Sequence, residues 1–179
     1  MDDSHSPDMQ TRIEQFMRRD IFPRVKDMKA FVAANPPGAR PAFLADLKEA
    51  ARDKGLWNLG LPNLPDGAPG TRLSNSEFAP IAETLGWVDW AAEVFNCHAP
   101  DLPTMEMLVA IGTDAQKDHW LKPMLEGEIC TGFSMTEPGT ASSDARNIET
   151  RIEDKGDHWL VNGHKWFTGN HGVPGWAFT

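Results

Sequence analysis

Hydrophobic residues change their period once along this chain, just past Gly127, and a fold that houses it must hold both helices and strands. Before that point apolar side chains recur every three or four residues, as one face of a helix requires. After it they alternate, as one face of a strand requires. With 179 residues, 40% hydrophobic and 24% charged, the chain can bury a core and resembles neither a disordered tail nor a coiled coil. The class expected is α+β, with the helical and strand regions in series.

Ile13, Phe16, Met17 and Ile21 form a first stripe, which Val25, Met28, Phe31 and Val32 resume beyond Pro23 until Pro36-Pro37-Gly38 stops it. Pro23 leaves two outcomes open, one kinked helix or two short ones. Phe43, Leu44, Leu47, Ala50 and Ala51 form the next face, ended by Gly55 as a left-handed cap. A loop rich in Pro and Gly fills 62–70. Ser74 with Glu77 forms a capping box before Phe78, Ile81, Ala82 and Leu85, and Thr113 with Gln116 forms a second before Trp120, Leu121 and Met124. Between them Thr104 to Ile111 reads as a short helix.

In the second region Ile129, Thr131, Phe133 and Met135 share one face of a strand, and Ile148, Thr150 and Ile152 share another. Asp154-Lys155-Gly156-Asp157 turns into His158-Trp159-Leu160-Val161. Asn162-Gly163 predicts a type I′ hairpin leading into Lys165-Trp166-Phe167-Thr168. Trp176-Ala177-Phe178-Thr179 reads as a strand without a following turn or cap, so the β region is expected to be unfinished at Thr179, with Trp159, Trp166 and Trp176 uncovered.

Seventeen Lys and Arg against 26 Asp and Glu give a formal charge of -9, which opposes general affinity for nucleic acid or anionic lipid. No apolar run reaches the roughly 20 residues of a spanning helix, and Met1-Asp2-Asp3-Ser4-His5 lacks a basic leader. The expectation is a cytoplasmic protein with small-molecule and protein partners. Cys97 and Cys130 are too few for a disulfide framework and are expected to be buried thiols. The six histidines, His98 and His119 among them, lack a second ligand at metal spacing, so no metal site is expected.

Chemistry concentrates in residues 132–144, Gly132-Phe133-Ser134-Met135-Thr136-Glu137-Pro138-Gly139-Thr140-Ala141-Ser142-Ser143-Asp144. Backbone N–H groups and small hydroxyls in such a loop can approach a pyrophosphate closely, although many loops of this composition are only turns. The P-loop lysine is missing. Met135-Thr136 stands where a nucleophile elbow needs a small residue and glycine, which excludes a serine hydrolase of that type. Trp166-Phe167-Thr168 offers a flat apolar surface with a hydroxyl at its edge, suited to a tricyclic ring or simply to a core.

Met135-Thr136-Glu137-Pro138 with the small-residue loop and Ser143-Asp144, together with Asn162-Gly163 and Lys165-Trp166, resembles the acyl-CoA dehydrogenase family. Leu56-Trp57-Asn58-Leu59, Asn96-Cys97-His98-Ala99-Pro100-Asp101, Gln116-Lys117 with Trp120-Leu121 and Pro123, and Ala141-Ser142-Ser143-Asp144-Ala145 resemble the branch of family members ten and eleven. The resemblance implies an N-terminal helical domain over 1–128, the beginning of an antiparallel β-barrel-like middle domain over 129–179, and a C-terminal four-helix domain absent from this sequence. It implies FAD as cofactor, with Phe133, Ser134, Met135, Thr136 and Ser142 lining it, and Ser143 touching both FAD and acyl-CoA. Trp166, Phe167 and Thr168 would form the second wall. A gapless alignment sets Gly169 where many relatives carry the threonine that bonds flavin N5.

The reaction implied is oxidation of an acyl-CoA thioester to the trans-2-enoyl-CoA, as in fatty-acid β-oxidation. Electron-transfer flavoprotein would be the acceptor, and a homodimer or homotetramer the assembly. The family's base is a glutamate of the C-terminal domain, so no catalytic residue is assigned here and the 179 residues alone are expected to be inactive. Two other readings stay open: a short non-catalytic flavin-binding or assembly subunit, and a flavin oxidase or monooxygenase on the same scaffold.

Overall fold

A computed structural model describes residues 6–169 and 176–178, with side chains over 9–169. Helix α1 (Ser6–Phe16) runs through a wide π turn (Met17–Ile21) and a tight 3-10 turn (Phe22–Arg24) into α2 (Val25–Ala34), so one kinked helix is realised. Pro23 explains the sequence of turns. It lacks an N–H and its ring crowds the carbonyl four residues back. The helix widens beforehand, Phe22 N–H reaching the Met17 carbonyl, then tightens, Val25 N–H reaching that of Phe22. The device recurs at Pro123, where Lys122 N–H reaches back to the Lys117 carbonyl across a second π turn.

Helices α3 (Ala42–Asp53), α4 (Asn75–Leu85) and the short α5 (Ala91–Val94) complete a first layer around Ile13, Phe16, Leu44, Ile81 and Phe95. The rings of Phe16 and Phe95 meet edge to face at 5.3 Å. Both capping boxes form as the sequence predicts, and Gly55 takes the left-handed φ of +64°. A second cluster gathers Leu61, Met105, Leu108, Leu121 and Met124 from α6 (Asp101–Ile111), α7 (Asp114–Gln116) and α8 (Lys122–Leu125).

Two asparagines lock these clusters together. Asn58 and Asn96 adopt φ of +52° and +54°, a backbone state that asparagine tolerates better than most residues. Asn96 Nδ2 donates to Asn58 Oδ1 at 2.7 Å and to the Met124 carbonyl at 3.0 Å. Asn58 Nδ2 donates to the carbonyls of Pro69 and Leu125, and Trp57 Nε1 also donates to Leu125. The α8 carbonyls left open by the helix end are thus met by buried side chains.

Strand β1 (Cys130–Gly132) follows. It pairs in parallel with β4 (Trp176–Phe178), while β2 (Arg151–Asp154) and β3 (Trp159–Asn162) form an antiparallel hairpin in which Arg151 faces Asn162. The α+β class stands, and so do the expected helices. Three local expectations need correction. The alternating run 129–135 holds strand geometry only at 130–132. Asn162-Gly163 is no hairpin turn, because the hairpin closes earlier, at Gly156 with φ of +92°. Gly163 instead permits a close approach, since a Cβ there would lie 2.1 Å from Thr150 Oγ1. Residues 165–168 consequently form no strand. Cys97 is buried, and burial pushes its thiol up to about 12, whereas Cys130 is only half-buried. Trp159 and Trp166 are exposed as expected; the Trp176 side chain and Thr179 lie outside the described residues. Among the described residues no helix is long and apolar enough to cross a membrane.

Replacing Asn96 by Ala leaves the Asn58 Oδ1 acceptor without its 2.7 Å donor and takes one donor from the Met124 carbonyl, which keeps the Gly127 N–H. The expected loss is about 1–3 kcal/mol in unfolding free energy, read as a lower urea midpoint with unchanged slope.

Candidate cofactor-binding site

Asp101 fixes where the site begins. Its buried carboxylate accepts the Thr131 N–H at 2.6 Å and the Thr131 hydroxyl at 2.8 Å, while His98 Nε2 lies 3.1 Å from the other oxygen. Burial pushes its carboxyl up, and the bonds from His98 and Thr131 outweigh this and hold it below the usual range. Strand β1 is thereby pinned to the first turn of α6, and the chain leaves it at Phe133.

Residues 133–137 then run beside residues 165–168. Trp166 N–H donates to the Thr136 carbonyl at 3.0 Å. The Ser134 and Thr168 hydroxyls share a hydrogen bond of 2.7 Å. Lys165 Nζ donates to the Met135 carbonyl at 3.0 Å and to Glu137 Oε1 at 2.8 Å. The two segments singled out in the sequence for a flat ligand are therefore neighbours.

Glu137 organises the loop between them. Only 5% exposed, it accepts bonds from Lys165, from the Thr150 hydroxyl and from the backbone N–H groups of Glu149 and Thr150. Its own N–H donates to Ser142 Oγ at 2.7 Å. The Lys165 hydrogen bond, then that of Thr150, pull its carboxyl down to about 2 from 4.5. Such a group is a poor proton acceptor, so it is structural and not a base.

Phe133 is 55% exposed, Trp166 43% and Phe167 80%, and Thr136 and Ser143 are exposed as well. The Trp166 and Phe167 rings sit 4.7 Å apart, with Phe167 at φ of +55°. Met135 is half-buried with its carbonyl engaged by Lys165. Ser142 is 1% exposed, and its hydroxyl accepts the Glu137 N–H. Sequence reasoning missed Glu137 and Lys165 as partners, because their separation of 28 residues follows no local period. The available signal was a carboxylate set among N–H-rich turn residues.

Beside Phe133 lies an apolar groove of about 540 Å³ lined by Pro100, Pro103, Met107, Phe133 and Gly169 among others. Thr104, its hydroxyl-bearing residue, turns that group back to the Pro100 carbonyl at 3.0 Å. Among the described residues no cluster of three or more His, Cys, Asp or Glu could hold a metal ion.

A helical domain, strands that start a β layer and an aromatic wall over a Thr-Glu-Pro loop define a class of protein. Residues 4–128 match the N-terminal domain of acyl-CoA dehydrogenases and residues 132–179 match the middle domain. The chain belongs to the acyl-CoA dehydrogenase family. It is 42% identical over 170 residues to the probable acyl-CoA dehydrogenase FadE2 of Mycobacterium tuberculosis, covering 93% of this chain and 40% of that protein. Mouse acyl-CoA dehydrogenase family members 10 and 11 are each 42% identical, over 88% and 92% of this chain and 15% and 21% of their own length. A solved Mycobacterium abscessus structure described as an acyl-CoA dehydrogenase superposes with a TM-score of 0.86 at 37% identity, over 99% of this chain and 46% of that one. A Bacillus anthracis acyl-CoA dehydrogenase solved with FAD shares the fold at 24% identity, with a TM-score of 0.63 over 92% of this chain and 26% of that one. The chain thus spans less than half the length of these relatives.

Because the folded-state carboxyl of Glu137 titrates near 2 against 4.5 ordinarily, its contribution to stability is complete above about pH 4.5 and is lost as pH falls through that window. Glu137→Gln should lower the urea midpoint at neutral pH and flatten its decline between about pH 4.5 and 2. An unchanged acid profile in the variant would contradict this assignment.

Proposed function

We propose that this chain forms the flavin- and acyl-facing wall of an FAD-dependent acyl-CoA dehydrogenase that converts an acyl-CoA thioester to its trans-2-enoyl-CoA. The observation supporting this reading is the lateral pairing of residues 133–137 with 165–168, which brings the exposed residues Thr136, Trp166 and Phe167 beside one another. Their chemistry suits the group. Exposed aromatic faces can cover a tricyclic ring, and of the two O–H groups in the Ser134–Thr168 pair only one is consumed, so one remains to donate outward.

FAD, when bound, supplies the hydride acceptor for the β-hydrogen of the acyl thioester. The chain's own residues bind and orient: Phe133, Ser134, Met135 and Thr136 on one side, Trp166, Phe167 and Thr168 on the other, and Ser143 toward the shared edge of cofactor and acyl-CoA. Ser142 supports that loop from within. The apolar groove at Pro100, Met107 and Phe133 offers a surface against which an acyl chain can pack. Removal of the α-proton requires a carboxylate on the opposite side of the substrate. Glu137 is saturated with donors, so the base lies outside these residues. Family membership supports electron-transfer flavoprotein as electron acceptor and a homodimeric or homotetrameric assembly.

The test is fluorescence titration of FAD with protein expressed from its complete reading frame. Thr136→Val keeps the shape and removes one hydroxyl, a change of about 0.5–1.5 kcal/mol, so FAD affinity should fall roughly 2- to 13-fold. Wild-type affinity in this variant and in Trp166→Ala together would remove the basis for placing flavin here.

A further inference from the structure

The two walls of the site lie outside any strand ladder. Residues 133–137 follow β1 and residues 163–168 follow β3 without regular structure, so no repeating hydrogen-bond pattern fixes their spacing. One backbone bond, Trp166 N–H to the Thr136 carbonyl, joins them directly. Two residues away on each segment, the Ser134 and Thr168 hydroxyls join them a second time at 2.7 Å. Lys165 straddles Thr136 itself, because its ammonium reaches the Met135 carbonyl on one side of Thr136 and the Glu137 carboxylate on the other. An ammonium with three donors on a flexible stem can serve two acceptors at once. Glu137 in turn is held by Thr150 and by two backbone N–H groups just before β2, so the clamp is anchored to the hairpin.

We infer that Lys165 and Glu137 are positioning residues for the flavin site, holding Thr136 and Trp166 at a set spacing while cancelling each other's charge behind the wall. This rests on the flavin reading given above. Neither side chain need reach the cofactor, since Lys165 is three-quarters covered and Glu137 almost wholly so. Their opposite charges make the role distinguishable from plain structural support. Removing Lys165 leaves a buried negative charge behind the site, which disfavours adding electrons there. Removing the Glu137 charge leaves a positive one, which favours it.

Lys165→Met should therefore shift the flavin midpoint potential negative and Glu137→Gln should shift it positive, with the double variant between them and each single variant weakening FAD roughly tenfold. Lys165→Arg keeps the charge and the reach to two acceptors, and should restore the potential. In the flavin-free protein, Lys165→Met should speed hydrogen exchange at the Trp166 amide while the helices melt as in the wild type. Shifts of the same sign, or no shift in either single variant, would overturn the inference, as would an unchanged Trp166 amide in Lys165→Met. A wild-type protein that takes up no FAD would instead overturn the flavin reading, and the exchange measurement would still judge the clamp.

Discussion

The carboxylate of Asp101 is where the helical and strand regions are joined, and everything downstream inherits its direction from that joint. Buried at the first turn of α6, it accepts two bonds from Thr131 and faces His98 with its other oxygen. A carboxylate so placed benefits from the partial positive charge at a helix N-terminus and would be costly to bury without partners. Among the described residues the short β1 pairs in parallel with β4, and the Asp101 joint adds a side-chain tie to that three-residue ladder.

Behind that joint stands a platform made rigid by polar groups as much as by hydrophobic ones. Asn58 and Trp57 supply donors to the Leu125 carbonyl at the end of α8, and Asn96 joins the Gly127 N–H on that of Met124. The helices leading to it bend at Pro23 and Pro123 by the same sequence of a wide turn ahead of the proline. Both bends keep apolar side chains on the core side, with Ile21 buried beside one proline and Leu121 beside the other.

The site itself is assembled from loops tied by side chains. Glu137 gathers donors from residues 149, 150 and 165 while its amide is fixed by Ser142. The Trp166 and Phe167 rings, 4.7 Å apart, lie exposed beside that loop. The same bonding that steadies the wall holds the Glu137 carboxyl low and makes it a poor proton acceptor.

Sequence alone determined the helices, their caps and the switch to strands, because periodicity and capping are local and repeat within a few residues. Ser74 with Glu77, Thr113 with Gln116 and Gly55 could be read directly. The motifs at 133–136 and 166–168 could be singled out for the same reason. What only the tertiary structure decided is their meeting: that Lys165 answers Glu137, that Asp101 holds Thr131, and that Ser142 faces inward. It also decided that Gly163 makes room for Thr150 and does not turn a hairpin. Those partners lie from 5 to 30 residues apart with no period linking them. Buried polar groups must find partners wherever the fold brings donors and acceptors together, and that choice is made by the packed chain, not by its local pattern.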